Sequence, residues 1–299
     1  MLDEVLSRFL AHDRLALARV LTLIARGEQL DAVRAALLPR TERTHVVAVT
    51  GNAGVGKSTL VGKLAEHLRI SGKTVAVLAC DPQSPLTGGA VLGDRARMPS
   101  RPEDPGLFIR SLAATGGHQA VAEHIDLMIR ALAEFGFDVI LLETVGAGQG
   151  DTAVRELADI VVLLLQPESG DELQWEKAGL LEVADVVVIH KADLAGAERT
   201  QSQVKELLSL PGCRDIPVLG VSSTKGVGLA ELWSVVASTP RRRQPAGSDA
   251  EFLLRRAQQM LAERFRDRGV DVDPVLERWR RQELDETQAA DALLHVLTE

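Results

Sequence analysis

Gly51-Asn52-Ala53-Gly54-Val55-Gly56-Lys57-Ser58-Thr59 has the spacing G-x-x-x-x-G-K-[ST], and its surroundings suit a phosphate-binding loop. The apolar run His45-Val46-Val47-Ala48-Val49 ahead of it reads as a buried strand, and Leu60-Val61-Gly62-Lys63-Leu64-Ala65-Glu66-His67-Leu68 behind it reads as a helix. Gly51, Gly54 and Gly56 let the backbone curl so that successive N–H groups point inward at an anion. The helix start adds its positive dipole end. Lys57 is then expected to reach the β- and γ-phosphates of a nucleotide, and the Ser58 hydroxyl to ligate Mg²⁺.

Outward from the loop, short β-branched runs alternate with helical stretches. The expected strands are Val46–Thr50, Thr74–Cys80, Phe108–Ile109, Val139–Leu142, Ile160–Leu165, Val186–Ile189 and Val218–Val221. Their nearly continuous apolar character suits parallel strands covered on both faces. The fold class is therefore α/β with a mostly parallel sheet, binding its ligand at the carboxyl ends of the strands. Residues 1–40 are helical in pattern, with stripes at Leu2, Val5, Leu6 and Phe9 and at Leu17, Val20, Leu21 and Ile24. They read as a lid or buttress on a domain of residues 41–238. Residues 239–247, with Arg241-Arg242-Arg243 between Pro240 and Pro245, read as a solvated linker. Residues 248–299 open on a capping box at Ser248 and Glu251 and form a helical arm.

Composition excludes several classes. A net charge of −8 over 299 residues argues against a nucleic-acid surface, which needs clustered positive charge. No apolar run approaches the roughly 20 residues of a membrane span. The start Met1-Leu2-Asp3-Glu4 lacks the basic-then-apolar layout of a signal peptide. Cys80 and Cys213, far apart, suit a cytoplasmic chain with reduced thiols.

Four further segments specialise the phosphate loop. Asp81, at the end of the second strand, is placed near Mg²⁺ or its waters, and Asp94, in a glycine-rich stretch, is placed to approach the metal only when a γ-phosphate is bound. Asp138-Val139-Ile140-Leu141-Leu142-Glu143-Thr144-Val145-Gly146 ends a strand in an acid. Glu143 is the expected carboxylate behind Mg²⁺, and the Gly146 N–H a γ-phosphate sensor. Ala147 follows where a water-orienting glutamine is often found, so intrinsic hydrolysis should be slow. His190-Lys191-Ala192-Asp193 is a near match to Asn-Lys-x-Asp, the guanine-reading loop. Asp193 can accept from guanine N1–H and the N2 amine, a pattern adenine lacks. The imidazole of His190, in place of Asn, can cap guanine N7 or tie down the phosphate loop. One strand later, Ser222-Ser223-Thr224 offers the Ser223 N–H to guanine O6. Between two strands, Gln166 to Gly179 is charged and glycine-bounded, as a recognition loop should be. Trp175 within it is either a partner anchor or a packing residue.

Asp81-Pro82, Ser84, Thr87-Gly88-Gly89, Leu92-Gly93-Asp94, Arg97-Met98, Phe108-Ile109-Arg110, Glu143-Thr144-Val145-Gly146, Gly148-Gln149, Gly170-Asp171-Glu172-Leu173-Gln174 and Lys191-Ala192-Asp193 together resemble the MeaB/ArgK family of P-loop GTPases. The resemblance spans residues from about 15 to 235. It implies GTP/GDP and Mg²⁺ as cofactors, and GTP hydrolysis coupled to delivery of adenosylcobalamin to an acyl-CoA mutase such as methylmalonyl-CoA mutase, with protection of that mutase. It also implies a homodimer through the C-terminal helices. Carried over by position are the phosphate loop (Gly51, Asn52, Ala53, Gly54, Val55, Gly56, Lys57, Ser58, Thr59), the metal-proximal Asp81, Asp94 and Glu143, and the base-reading His190, Lys191, Ala192, Asp193, Ser222, Ser223 and Thr224. Lys177 matches a switch-loop lysine linked to activation by the partner. Departures from the pattern are His190 for Asn, Trp175-Glu176 before Lys177, and Ala178 where a second lysine is common. Competing readings are an ATP-dependent kinase linked to amino-acid transport, which Asp193 opposes, and a nickel-insertion GTPase, for which the seven scattered histidines give no metal segment.

Overall fold

The computed structural model describes residues 2–37, 44–82, 104–114, 123–144, 151–167, 181–211, 213–242 and 272–298, with residues 254, 257, 261 and 265 between the last two stretches. The chain divides into two compact units, Met1–Arg242 and Arg243–Glu299.

The first unit is built on seven strands: β1 (His45–Gly51), β2 (Val75–Pro82), β3 (Leu107–Ala114), β4 (Val139–Glu143), β5 (Ile160–Leu165), β6 (Val186–His190) and β7 (Val218–Val221). They form one sheet in the order β3-β2-β4-β1-β5-β6-β7, and every neighbouring pair is parallel. Each expected strand is present. β3 is longer than its apolar run, because it stays paired with β2 through Arg110 and Ser111 to Ala114. Ladder hydrogen bonds belong to the backbone, so they can outlast the hydrophobic pattern.

Eight helices are described in this unit: α1 (Leu2–Leu10), α2 (Arg14–Ala25), α3 (Leu30–Ala36), α4 (Lys57–Ile70), α5 (Ile125–Glu134), α6 (Asp151–Leu157), α7 (Ala197–Leu208) and α8 (Leu229–Ser238). Alternate strand residues face opposite sides of a sheet, and the helices divide accordingly. Val46 and Ala48 of β1 pack with Leu17, Val20, Leu21 and Ile24 of α2 and with Leu127, Met128 and Leu132 of α5. Val47 and Val49 pack with Leu60, Val61, Leu64 and Leu68 of α4 and with Leu232 and Val236 of α8. The N-terminal helices thus buttress one face. Asp13 caps α2 by accepting from the Leu15 and Ala16 amides at 2.8 and 3.1 Å. Next to it, the Arg14 guanidinium donates to the carbonyls of Asp104, Pro105 and Leu107 beside the start of β3.

At the amino ends of the strands a pattern recurs. Asp138, Asp159 and Asp185 each immediately precede a strand. Their carboxylates accept from the amides of Thr74 at 2.7 Å, Val46 at 2.8 Å and Val161 at 2.8 Å. Arg242 completes it: it pairs with Asp185, donates to the Val183 carbonyl at 2.8 Å, and gives its own amide to the Asp159 carbonyl at 3.1 Å. This corrects the reading of the arginine run as solvated. Arg241 is exposed, but the Arg242 side chain is only 18% exposed, because a buried carboxylate awaits it at the foot of β6.

In the second unit, α9 (Asp273–Arg280) and α10 (Glu286–Thr298) are described, and Leu254, Phe265, Trp279 and Leu294 are exposed. Among the described residues no helix is long and apolar enough to cross a membrane.

Candidate nucleotide site

β1 is the central strand, and it runs straight into the glycine loop. Gly51 ends it at φ 144°, where an added Cβ would lie 2.5 Å from the Leu164 carbonyl of β5, so no other residue fits. At the far side, Gly56 (φ 102°) precedes the first residue of α4. Asn52, Ala53 and Gly54 form an exposed tip, while Lys57 and Ser58 are buried beneath it. The Lys57 ammonium donates to the carbonyls of Gly51 and Asn52 at 2.9 and 3.1 Å. It therefore lies over the same curl of backbone whose amides would meet a phosphate.

Ser58 Oγ donates to Glu143 Oε1 at 2.6 Å, and both groups are buried. The sheet register sets this up: Glu143, at the end of β4, sits abreast of Val49 in β1 and Ala79 in β2. One residue on, Thr144 Oγ1 donates to Thr50 Oγ1 at 3.0 Å, and the Thr144 amide to the Val49 carbonyl at 3.2 Å. This buried threonine pair escapes sequence reasoning, since it depends on β1 and β4 lying side by side. The signal for it is a threonine at the carboxyl end of each of two apolar strands, Thr50 within β1 and Thr144 just after β4.

The segment expected to read the base follows β6. His190 is 3% exposed. Its Nδ1 lies 2.7 Å from the Val55 carbonyl and its Nε2 2.8 Å from Ser223 Oγ. Of the two roles considered for the imidazole, the structure therefore displays the tie to the phosphate loop. Burial pushes the ring's pKa down, with Lys191 adding to that and Asp193 opposing it. Beyond it Lys191 takes a left-handed turn (φ 58°), and its ammonium donates to Gln166 Oε1 at 3.2 Å, a partner supplied by the end of β5. Asp193 is exposed and accepts a hydrogen bond from the Ser222 hydroxyl, which holds its carboxyl below the usual carboxylate range. Ser222 Oγ also lies 3.2 Å from Thr224 Oγ1 and accepts from the Lys225 amide at 3.3 Å. The Ala192 amide donates to the Val221 carbonyl at 3.1 Å, so the two segments are stitched together.

Of the other expected site residues, Asp81 lies in β2 opposite Ala113 of β3. Asp94, Gly146, Trp175 and Lys177 lie outside the described residues.

A parallel sheet whose central strand feeds a lysine–serine glycine loop, with an acid behind the serine and an Asp-bearing turn two strands away, defines a class: the P-loop GTPases. Residues 17–272 match the family described as Methylmalonyl Co-A mutase-associated GTPase MeaB, and the chain belongs to that family. A protein of Pyrococcus abyssi named as a GTPase is 36% identical, with 98% of this chain and 96% of that one covered. A fused isobutyryl-CoA mutase of Nocardia farcinica is 39% identical over 72% of this chain, which corresponds to 21% of that much longer protein. Among solved structures, one titled as an LAO/AO transport system kinase covers 100% of this chain and 98% of its own with a TM-score of 0.64; at 23% identity it shows the fold alone. As a MeaB-family member the chain is a GTP hydrolase, and its function is that of a GTPase chaperone coupled to a cobalamin-dependent acyl-CoA mutase.

Proposed function

We propose that GTP lies across the carboxyl edge of this sheet, with its phosphates in the Gly51–Thr59 loop and its base against Asp193, and that hydrolysis gates transfer of adenosylcobalamin to the mutase. The observation that carries this reading is the His190 side chain, which joins the Val55 carbonyl of the phosphate loop to Ser223 of the base side. The two ends of a nucleotide site are thereby held in one piece.

The residues at the phosphate end fit Mg²⁺. It prefers hard oxygen donors and keeps several waters, and a buried serine hydroxyl 2.6 Å from a buried carboxylate offers that donor set. Ser58 would be the direct ligand and Glu143 would hold a metal-bound water; Asp81 and Asp94 are the further carboxylates proposed for this metal. When bound, the ion supplies positive charge against the β- and γ-phosphate oxygens. Ser58 can keep donating its proton to Glu143 while its lone pair faces the metal. Lys57 exchanges its present carbonyl partners for phosphate oxygens and neutralises charge that develops on the transferring group. The Gly146 N–H completes the cradle of the γ-phosphate. Ala147 has no side-chain amide to orient the attacking water, so turnover by the chain alone is slow.

The mutase then completes the site, either by contributing a group or by acting on the switch segments that carry Asp94, Gly146 and Lys177. A mutase that binds the hydrolytic form preferentially shifts the population toward it. The exposed apolar side chains Leu254, Phe265, Trp279 and Leu294 support an arm, residues 248–299, that pairs two copies of the chain. The acidic balance of the sequence supports a chain that binds no nucleic acid, and two widely spaced cysteines suit a cytoplasmic one.

GTP turnover with and without a cobalamin-dependent acyl-CoA mutase tests the reading. Stimulation of the unmutated chain is expected, Lys177→Ala is expected to lose most of it, and Lys57→Ala to abolish hydrolysis altogether. Tight GTP binding with no stimulation by any such mutase would refute the coupling.

A further inference from the structure

We infer that His190 leaves guanine N7 unread, so that this GTPase recognises its base through the N1, N2 and O6 edge alone. The inference rests on the guanine reading of Asp193. The Val55 carbonyl can only accept, so the ring nitrogen 2.7 Å from it, Nδ1, carries a proton and spends it there. In the neutral ring Nε2 then has a lone pair and no hydrogen, and it accepts from the Ser223 hydroxyl at 2.8 Å. Guanine N7 is itself an acceptor. Neither ring nitrogen has a donor left for it.

Rotation offers no way out. An added Cβ on Gly56 would lie 2.5 Å from His190 Cε1 and 2.6 Å from Nδ1, so the imidazole is pressed against the backbone of the phosphate loop. Its other end is fixed by a buried serine. The Ser223 hydroxyl proton is likewise spent on Nε2, while the Ser223 backbone N–H is a separate donor that suits O6. An asparagine at this position would differ in one respect that matters: its amide carries two N–H donors. One can serve the Val55 carbonyl and the other the base. His190 is therefore a positioning residue that joins loop to loop, and its cost is one contact to the purine.

The test compares GDP with 7-deaza-GDP, in which a C–H replaces N7, by competition against a fluorescent guanine nucleotide, with ADP as a third competitor. The unmutated chain is expected to bind GDP and 7-deaza-GDP equally, within about twofold, since a net hydrogen bond is worth roughly two- to tenfold in affinity. His190→Asn is expected to prefer GDP over 7-deaza-GDP by several-fold, because the spare amide N–H then meets N7. A wild-type preference for GDP of more than about twofold would overturn the inference, as would a His190→Asn variant blind to the substitution. Equal binding of ADP and GDP would instead refute the guanine reading on which the inference stands. The wild-type comparison needs no variant, so a poorly folded mutant cannot obscure the outcome.

Discussion

Asp193 carries the choice of base, and its surroundings prepare it for that task. Ser222 donates to one of its oxygens and holds the carboxyl ionised, so that the remaining lone pairs can accept from two guanine donors. Asp193→Asn replaces an acceptor with a donor that faces the N2 amine. GDP affinity is expected to fall roughly tenfold or more. Xanthosine diphosphate, which presents a carbonyl at that position, is expected to gain, and a competition titration of both nucleotides checks the pair of effects. At this scale much of the site is legible in the sequence, because the phosphate loop and the Lys191–Asp193 turn are contiguous strings whose spacing carries their chemistry. The Thr50–Thr144 pair and the Gln166 partner of Lys191 are not. They depend on which strands lie side by side, and a single sequence does not state that.

Among the elements, the strands were the most readable, since buried parallel strands are continuous apolar runs. Their order was not: a run such as Ile160–Leu165 carries no mark that it pairs with β1 rather than with β4. Arg242 shows the same limit. It sits in an arginine run that looks solvated, yet its partner Asp185 lies at the foot of β6 with 5% of its side chain exposed. Asp185 also receives Arg214 at 3.2 Å, and Arg155, Arg214 and Arg242 all donate to carbonyls between Glu182 and Ala184. Arg242→Ala removes the less exposed of the two cations on Asp185 and leaves Arg214 in place, so it is expected to cost about 2 kcal/mol of stability. Arg241→Ala, on the exposed neighbour, is expected to cost less than about 0.5 kcal/mol. Urea unfolding of the full chain measures both.

For the molecule as a whole, the buried imidazole links stability to pH. His190 has its pKa lowered in the folded chain by burial, so below its unfolded value of about 6.5 the unfolded chain binds the proton first. The contribution is present in full above that value and is lost as pH falls, until the folded ring itself titrates. The slope from one proton is at most about 1.4 kcal/mol per pH unit. Because the chain has seven histidines, the informative quantity is a difference. Between pH 7.5 and 5.5 the unmutated chain is expected to lose more stability than His190→Asn, as read from urea midpoints at each pH. Equal losses would mean that the ring is not held neutral by its surroundings.

The place of β1 in the strand order also governs when the site can come into being during synthesis. His45 pairs with Val139 on one side, and Val47 with Ile160 on the other. The loop that follows β1 leans on Leu164 through Gly51 and on Glu143 through Ser58. Pairings so distant along the chain must wait for the later strands and form slowly. A ribosome-bound nascent chain that exposes residues up to about 150 should therefore fail to retain a guanine nucleotide, although it already displays the whole glycine loop. Retention should begin only once β5, β6 and β7 have emerged, so that the motif written first is the last part of the site to work.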